Sequence, residues 1–349
     1  MSSVTKLGSG YLADRLGVRK PLVVAGYGLT ALMQVLMALA TGWPLILVAR
    51  LVGWFGRGVR GPLRDAILAE AVTPATRGKA FGFHRAADTL GAVLGPLLGV
   101  ALLGCAQTLP LADESDAYRL VFWVTVVPGV LSVVSFALLV RDDRTVPNPA
   151  LRLGSALRAL PARFRRYLQA VGLFGLGDFA PTLLIAAATA LLTPRLGLVP
   201  AAQVAGLLYA LRNAVQTVAS FPVGALADRY GHRPVLVAGY ALGAATATLQ
   251  AVAFAVQSDD VVLLGAVFVL AGLYVAVQDA LEGAMTADFV PPEVRGTGYG
   301  VLGAVNGVGD FVSSVAVGLL WTFAAPVVAF GAAATLMACG TVALARQRD

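Results

Sequence analysis

The sequence predicts an all-α, polytopic membrane protein, and three observations carry that prediction. Hydrophobic residues make up 58% of the 349 and charged residues 13%, about half the charged share of a soluble domain. Four runs carry no charge at all: 21–40, 120–140, 234–257 and 261–278. Each is close to the ~20 residues that an α-helix needs to cross a ~30 Å hydrocarbon layer. The third observation is a repeat. The stretch Gly10-Tyr-Leu-Ala-Asp14-Arg15-Leu-Gly17-Val-Arg19-Lys20 returns as Gly224-Ala-Leu-Ala-Asp228-Arg229-Tyr-Gly231-His-Arg233-Pro234, each copy just ahead of an apolar run.

In chain order the pattern predicts a helical stub over 1–13 and ten full spans. These lie at about 20–40, 44–68, 79–104, 119–140, 168–193, 202–227, 234–256, 261–287, 297–320 and 325–345. So many segments of spanning length argue against a soluble bundle of buried helices. Alternate connections differ in charge. One set holds Arg15, Arg19 and Lys20, then Arg77 and Lys79, then Arg229 and Arg233, then Arg295, then Arg346 and Arg348. The other set holds chiefly Arg119 and Arg195, beside Asp113, Glu114, Asp116, Asp259 and Asp260. The positive-inside rule assigns the first set and the C-terminus to the cytoplasm; the expected location is a bacterial inner membrane, crossed many times. The net charge of +7 is spent in these loops and not in a basic groove, so no nucleic-acid partner is expected. Cys105 and Cys339 stand apart, so neither a disulfide nor a metal site is expected.

The longest basic connection, 141–166, contains Arg141, Arg144, Arg152, Arg158, Arg163, Arg165 and Arg166. Two readings stay open for it: a helix resting on anionic lipid headgroups, or a solvated linker. It divides the chain into an N-terminal bundle, 1–140, and a C-terminal bundle, 167–349. A second pair of segments supports the division. Arg77-Gly78-Lys-Ala-Phe-Gly82 returns as Arg295-Gly296-Thr-Gly-Tyr-Gly300, and Gly91 then matches Gly309. The same motif twice on one side of the membrane means a parallel repeat about an axis along the membrane normal. The second bundle has about 48 more residues ahead of its copy than the first has. The expected plan is therefore six helices plus six, with the first helix and half of the second missing and about eleven helices present.

The two glycine–acid–base stretches resemble the loop signature of the major facilitator superfamily. That resemblance implies two pseudo-symmetric six-helix bundles and a gate motif made by Gly10, Asp14, Arg15, Gly17, Arg19 and Lys20, and by Gly224, Asp228, Arg229, Gly231 and Arg233. It implies that Asp14 meets a helix N-terminus beginning near Gly296, and Asp228 one near Gly78. A carboxylate is favoured there by the dipole and the free N–H groups. The run Gly82, Gly91, Gly95, Pro96 and Gly99 resembles the antiporter signature of the family's proton-coupled drug exporters, with Val100 where the last glycine usually stands. Its glycines are expected to form a smooth face for close helix packing, with Pro96 bending the helix.

Charges inside the predicted spans are the best site candidates, because a charge at mid-membrane costs at least ~2.5–3.5 kcal/mol unless it faces a cavity or a partner. Arg50 is similar to a family arginine linked to proton coupling. Arg85 and Asp88 share a helix face. Asp178, Arg212 (beside Asn213 and Gln216) and Asp310 (beside Asn306) are expected in a substrate cavity. Asp65, Asp279 and Glu282, nearer the helix ends, are expected to make ion pairs that fix helix register. No soluble-enzyme constellation is present.

The resemblance implies a secondary transporter that moves a small molecule by alternating access, as a monomer among membrane lipids. No cofactor is expected, and the proton is the coupling ion. Antiport with export is the first expectation and proton symport with import of a nutrient the alternative. A truncated membrane protein that transports nothing is the rival from outside the class.

Overall fold

The computed structural model describes residues 2–109, 113–142 and 147–347. Arg144 and Arg348 lie outside the described residues. Thirteen α-helices and no strand are present among those described. They form two compact units that do not coincide with the sequence halves. The first is 1–71, 94–161 and 290–304, and the second is 72–93, 162–289 and 305–349.

The first unit contains α1 (Ser2–Leu16), α2 (Lys20–Ala38), α3 (Trp43–Ala71), the second part of α4 (Arg77–Gln107), α5 (Glu114–Leu139), α6 (Leu153–Ala159) and the start of α12 (Arg295–Phe323). Within it α2 packs on α3 and α5, and α1 on α3. Glycine allows the closest crossing: a Cβ at Gly26 would sit 2.7 Å from the Gly56 carbonyl oxygen, a small-residue contact of the kind that holds membrane helices together. Ala13, Val23, Leu63 and Ile67 form a buried cluster with Tyr27 and Phe136 against it.

The second unit contains the start of α4, α7 (Ala162–Gly175), α8 (Pro181–Leu196), α9 (Leu198–Tyr230), α10 (His232–Ala255), α11 (Val261–Phe289), the rest of α12 and α13 (Pro326–Ala345). Here α10 packs on α11 and α13, and α9 on α11. Phe174 and Tyr240 stack with ring centroids 3.8 Å apart.

Among the described residues, eight helices are long and apolar enough to cross a membrane. They account for eight of the ten predicted spans. The ninth is α3, 29 residues long but dotted with arginines. Along α5 no residue of the most apolar window is buried, and Leu138 and Leu139 are 76% and 79% exposed. Surface of that kind suits lipid.

Two expectations need correction. The predicted span 168–193 is not continuous: α7 ends at Gly175, residues 176–180 are non-helical, and α8 starts at Pro181. Pro181 disfavours helix at Ala180, whose ψ of 138° is extended. The run Gly91, Gly95 and Gly99 meets no neighbouring helix, since a Cβ at any of the three would find nothing within 4 Å. The smooth face exists, but α4 packs through Gly78 and Gly82 instead, against α9 backbone at Gly224 and Ser220. Pro96 is carried inside α4 without ending it.

Candidate functional site

The repeated motif builds the same contact twice, once in each unit. Gly17 and Gly231 end their helices with φ of 66° and 97°, a conformation glycine adopts without steric cost. Their N–H groups close onto Ala13 and Ala227 carbonyls at 2.8 Å in both cases. This fixes the last turn that carries Asp14 or Asp228. In the first unit the Asp14 carboxylate accepts from the Gly296 N–H at 3.1 Å, the Thr297 N–H at 2.6 Å and the Thr297 hydroxyl at 2.8 Å. These are free donors at the first turn of α12. Gly10 lies directly against the Gly296 carbonyl, so any side chain there would lift the two helices apart. Burial pushes the Asp14 carboxyl up from its ordinary value, against the pull of the Thr297 bonds, the Arg19 charge and the Gly296 N–H. Arg19, 1% exposed, pairs with Asp14 at 3.6 Å and Glu70 at 2.7 Å, and Arg295 reaches Glu70 at 3.4 Å.

In the second unit Asp228 accepts from Gly78 N–H at 2.7 Å and Lys79 N–H at 3.0 Å. Gly224 lies against the Gly78 carbonyl as Gly10 does against Gly296. Arg77 pairs with Asp288 at 2.7 Å, the counterpart of Arg295 with Glu70.

Polar groups within the membrane-spanning part of the second unit converge around the α7–α8 break. Asp178, in the non-helical stretch, accepts from the Tyr274 hydroxyl at 3.0 Å and the Gln278 amide at 3.0 Å. The Ala180 N–H, freed by the break, donates to the Ser314 hydroxyl at 3.0 Å. Non-helical backbone at membrane depth persists only where its polar groups are met by protein or water. Arg212 is 7% exposed and donates to Asn213 at 2.8 Å and Gln216 at 3.0 Å, both neutral amides. Its Nε is buried without a partner. Among the described residues no carboxylate lies within ion-pair distance of it. Gln216 in turn donates to Asp279 at 2.9 Å. One helical turn away, Glu282 accepts from the Tyr240 hydroxyl at 2.6 Å and the Asn306 amide at 2.5 Å.

Thus Asp178 and Asn306, half-buried, and Arg212, buried, belong to polar networks of one unit. Arg85 and Asp88 face each other at 3.8 Å on α4, and Arg85 also donates to the Asp279 carbonyl at 3.1 Å. Asp310 is exposed on α12 in the second unit, and Arg50 is exposed on α3 in the first. Glu282 is held by neutral donors and not by the ion pair expected for it. Asp279 is tied through Gln216 to Arg212. Arg15 donates to Tyr11, Lys20 takes Asp142 on its backbone N–H, and Arg229 lies over the Tyr230 ring. Tyr240, Tyr274 and Gln278 escape a reading of the sequence because each sits inside an otherwise apolar run. Glu70, Asp288 and His232 look like solvated residues at helix ends.

A multi-pass helical protein with a twice-written carboxylate–helix contact, a broken helix and buried charges is a membrane carrier. The Major Facilitator Superfamily profile matches residues 1–200 and 170–349, and the chain belongs to this family. An uncharacterized MFS-type transporter of Methanocaldococcus jannaschii is 26% identical over 92% of this chain and 77% of its own. A 3-(3-hydroxy-phenyl)propionate transporter of Escherichia coli is 29% identical over 86% of this chain and 70% of its own. A citrate-proton symporter of Klebsiella pneumoniae is 26% identical over 83% and 66%. Among solved structures, the Escherichia coli fucose:proton symporter superposes with a TM-score of 0.79 at 14% identity, over 99% of this chain and 88% of that one. The family and these relatives are transporters and not enzymes.

Proposed function

We propose that the chain is a proton-coupled carrier of a small organic anion, with Arg212 as the group that receives the anion. Arg212 carries this reading. An ion taken out of water costs several kcal/mol unless it is compensated; the hydrogen-bond partners of this one are neutral amides, its guanidinium lies 5.8 Å from the centre of the Tyr209 ring, and its Nε–H is unused. A substrate carboxylate supplies the missing charge and acceptor. Two relatives bear names of carboxylic-acid substrates, 3-(3-hydroxy-phenyl)propionate and citrate, which supports the same class.

Arg212 and Asp279 both act electrostatically on Asp178, and Gln216 joins Asp279 to Arg212. A proton on either carboxyl removes a charge that repels the anion. Anion and proton then bind together, which is the logic of symport. An antiporter works the other way, with a proton and a cationic substrate competing for one carboxylate. Export by proton exchange, raised by the glycine run of α4, is therefore the second reading. The two motif contacts at Asp14 and Asp228 act as latches on the cytoplasmic side. The exposed arginines 152, 158, 163, 165 and 166 rest against anionic headgroups there.

Uptake into proteoliposomes tests the reading. A panel of labelled aromatic and aliphatic carboxylates is offered with the pH gradient in either direction. Accumulation of one class, driven by proton entry in the same direction and lost in Arg212→Gln, is the expected result. Accumulation under the opposite gradient assigns exchange. Flux of cations or neutral solutes alone, or undiminished anion flux in Arg212→Gln, overturns the role given to Arg212.

A further inference from the structure

In the first unit a permanent cation, Arg19, joins the latch carboxylate Asp14 to the second acid, Glu70. The second unit has the same two acids, Asp228 and Asp288, but a different bridge. Arg233, the sequence counterpart of Arg19, turns away and donates to the Leu344 and Ala345 carbonyls at 3.3 and 2.6 Å. The bridge is His232, which replaces Val18 of the first copy. Its Nδ1 lies 2.6 Å from Asp288 and its Nε2 3.2 Å from Asp228, with the side chain 10% exposed.

A neutral imidazole has one N–H and one lone pair. Whichever nitrogen carried the lone pair would face a carboxylate oxygen inside hydrogen-bond distance, which is repulsive. Only the imidazolium donates to both. Charge gives the same answer. The groups facing His232 are Asp228 from α9 and Asp288 from α11; Arg77, from the start of α4, pairs with Asp288, and Lys79 contributes its backbone N–H to Asp228. Arg229 is directed to the Tyr230 ring. The cluster of Asp228, Asp288, Arg77 and His232 is neutral with the ring protonated and carries one uncompensated negative charge without that proton.

We propose that His232 is a proton-binding site that sets the strength of the second latch, while the cation that bridges the first latch, an arginine, keeps its charge throughout the range where histidine titrates. The latch holds the proton and loses one of its two carboxylate bonds when pH rises and the proton leaves. The proposal rests on the transport reading only in treating the Asp228 contact as a cytoplasmic latch, and its test needs no transport.

The protein has two histidines, so ring NMR of the purified, detergent-solubilised chain shows two sets of ring signals, and His84→Gln assigns them. His232 is expected to be doubly protonated at neutral pH. A His232 signal that is neutral at neutral pH overturns the proposal. Hydrogen exchange at the Gly78 and Lys79 amides supplies the mechanical readout, taken as the ratio of His232→Gln to parent at each pH so that intrinsic exchange chemistry cancels. That ratio is expected to be about tenfold at low pH, the size of one charge-assisted hydrogen bond, and to approach one at high pH. His232→Arg should keep the amides protected across the range. A ratio that does not change with pH contradicts the site, and the ring signals of the parent decide the matter even where a variant fails to fold.

Discussion

At Gly224 the backbone of α9 lies so close to Gly78 that no side chain fits between them, and at Gly10 the same is true against Gly296. Gly91, in an equally helical position, faces open space. The physics of the two sites is opposite. Gly224→Ala must push the helices apart and is expected to destabilise by ~1–3 kcal/mol, the usual range for overpacking. Gly91→Ala should stabilise by ~0.5–1 kcal/mol through helix propensity alone. Thermal unfolding in one detergent compares them, and equal damage from both would sink the packing account. Tyr240 supplies a second residue-scale case. Its hydroxyl satisfies one oxygen of Glu282, which is 4% exposed. Tyr240→Phe leaves that oxygen buried without a donor, at a cost of ~1–3 kcal/mol, read as a fall in Tm.

The element that matters most is the broken pair α7 and α8. Its signals are in the sequence: Gly175, Gly177 and Pro181 surround Asp178 within seven residues. The apolar run of 168–193 nonetheless has the length of one span, and length alone cannot show whether backbone groups find partners elsewhere. Those partners, Ser314 for the Ala180 N–H and Tyr274 and Gln278 for the Asp178 carboxylate, come from α11 and α12, about a hundred residues on. Asp178→Asn keeps an acceptor for the Tyr274 hydroxyl but cannot take up a proton. It is expected to remain folded and to lose the pH dependence of flux, measured as uptake at several external pH values. Unchanged pH dependence would remove Asp178 from the coupling. Glycine patterns show a related limit. Gly82 and Gly91 look alike in sequence, yet only Gly82 meets a neighbour, because which helix faces which is decided by the packing of the whole unit.

For the whole molecule, the repeat was legible from the residues themselves, since Asp14 and Asp228 recur with the same glycines and the same following basic residues. Their partners at Gly296 and Gly78 were expected from the family resemblance and lie where the two units place them. What stayed hidden was the difference between the copies. A histidine between Gly231 and Arg233 reads as a variable position until its ring is found between two carboxylates. The polar cluster was half visible. Asp178, Arg212 and Asn306 stand out as charges or amides in apolar runs, whereas Asp279 and Glu282 read as helix-end ion pairs. Their surroundings of tyrosine, glutamine and asparagine are set by contacts between α9, α10, α11 and α12 that no spacing rule encodes.

The same-sided repeat is the claim on which latches, proton site and carrier all stand, and cysteine accessibility tests it most directly. With Cys105 and Cys339 replaced by serine, Arg15→Cys and Arg229→Cys, at exposed and equivalent positions of the two motif copies, are treated with a membrane-impermeant thiol reagent in sealed vesicles of known orientation. Asp260→Cys, in an acidic connection, serves as the reference for the other face. Both motif cysteines should react only in inside-out vesicles and the reference only in right-side-out ones. Labelling of residues 15 and 229 from opposite faces would contradict the account.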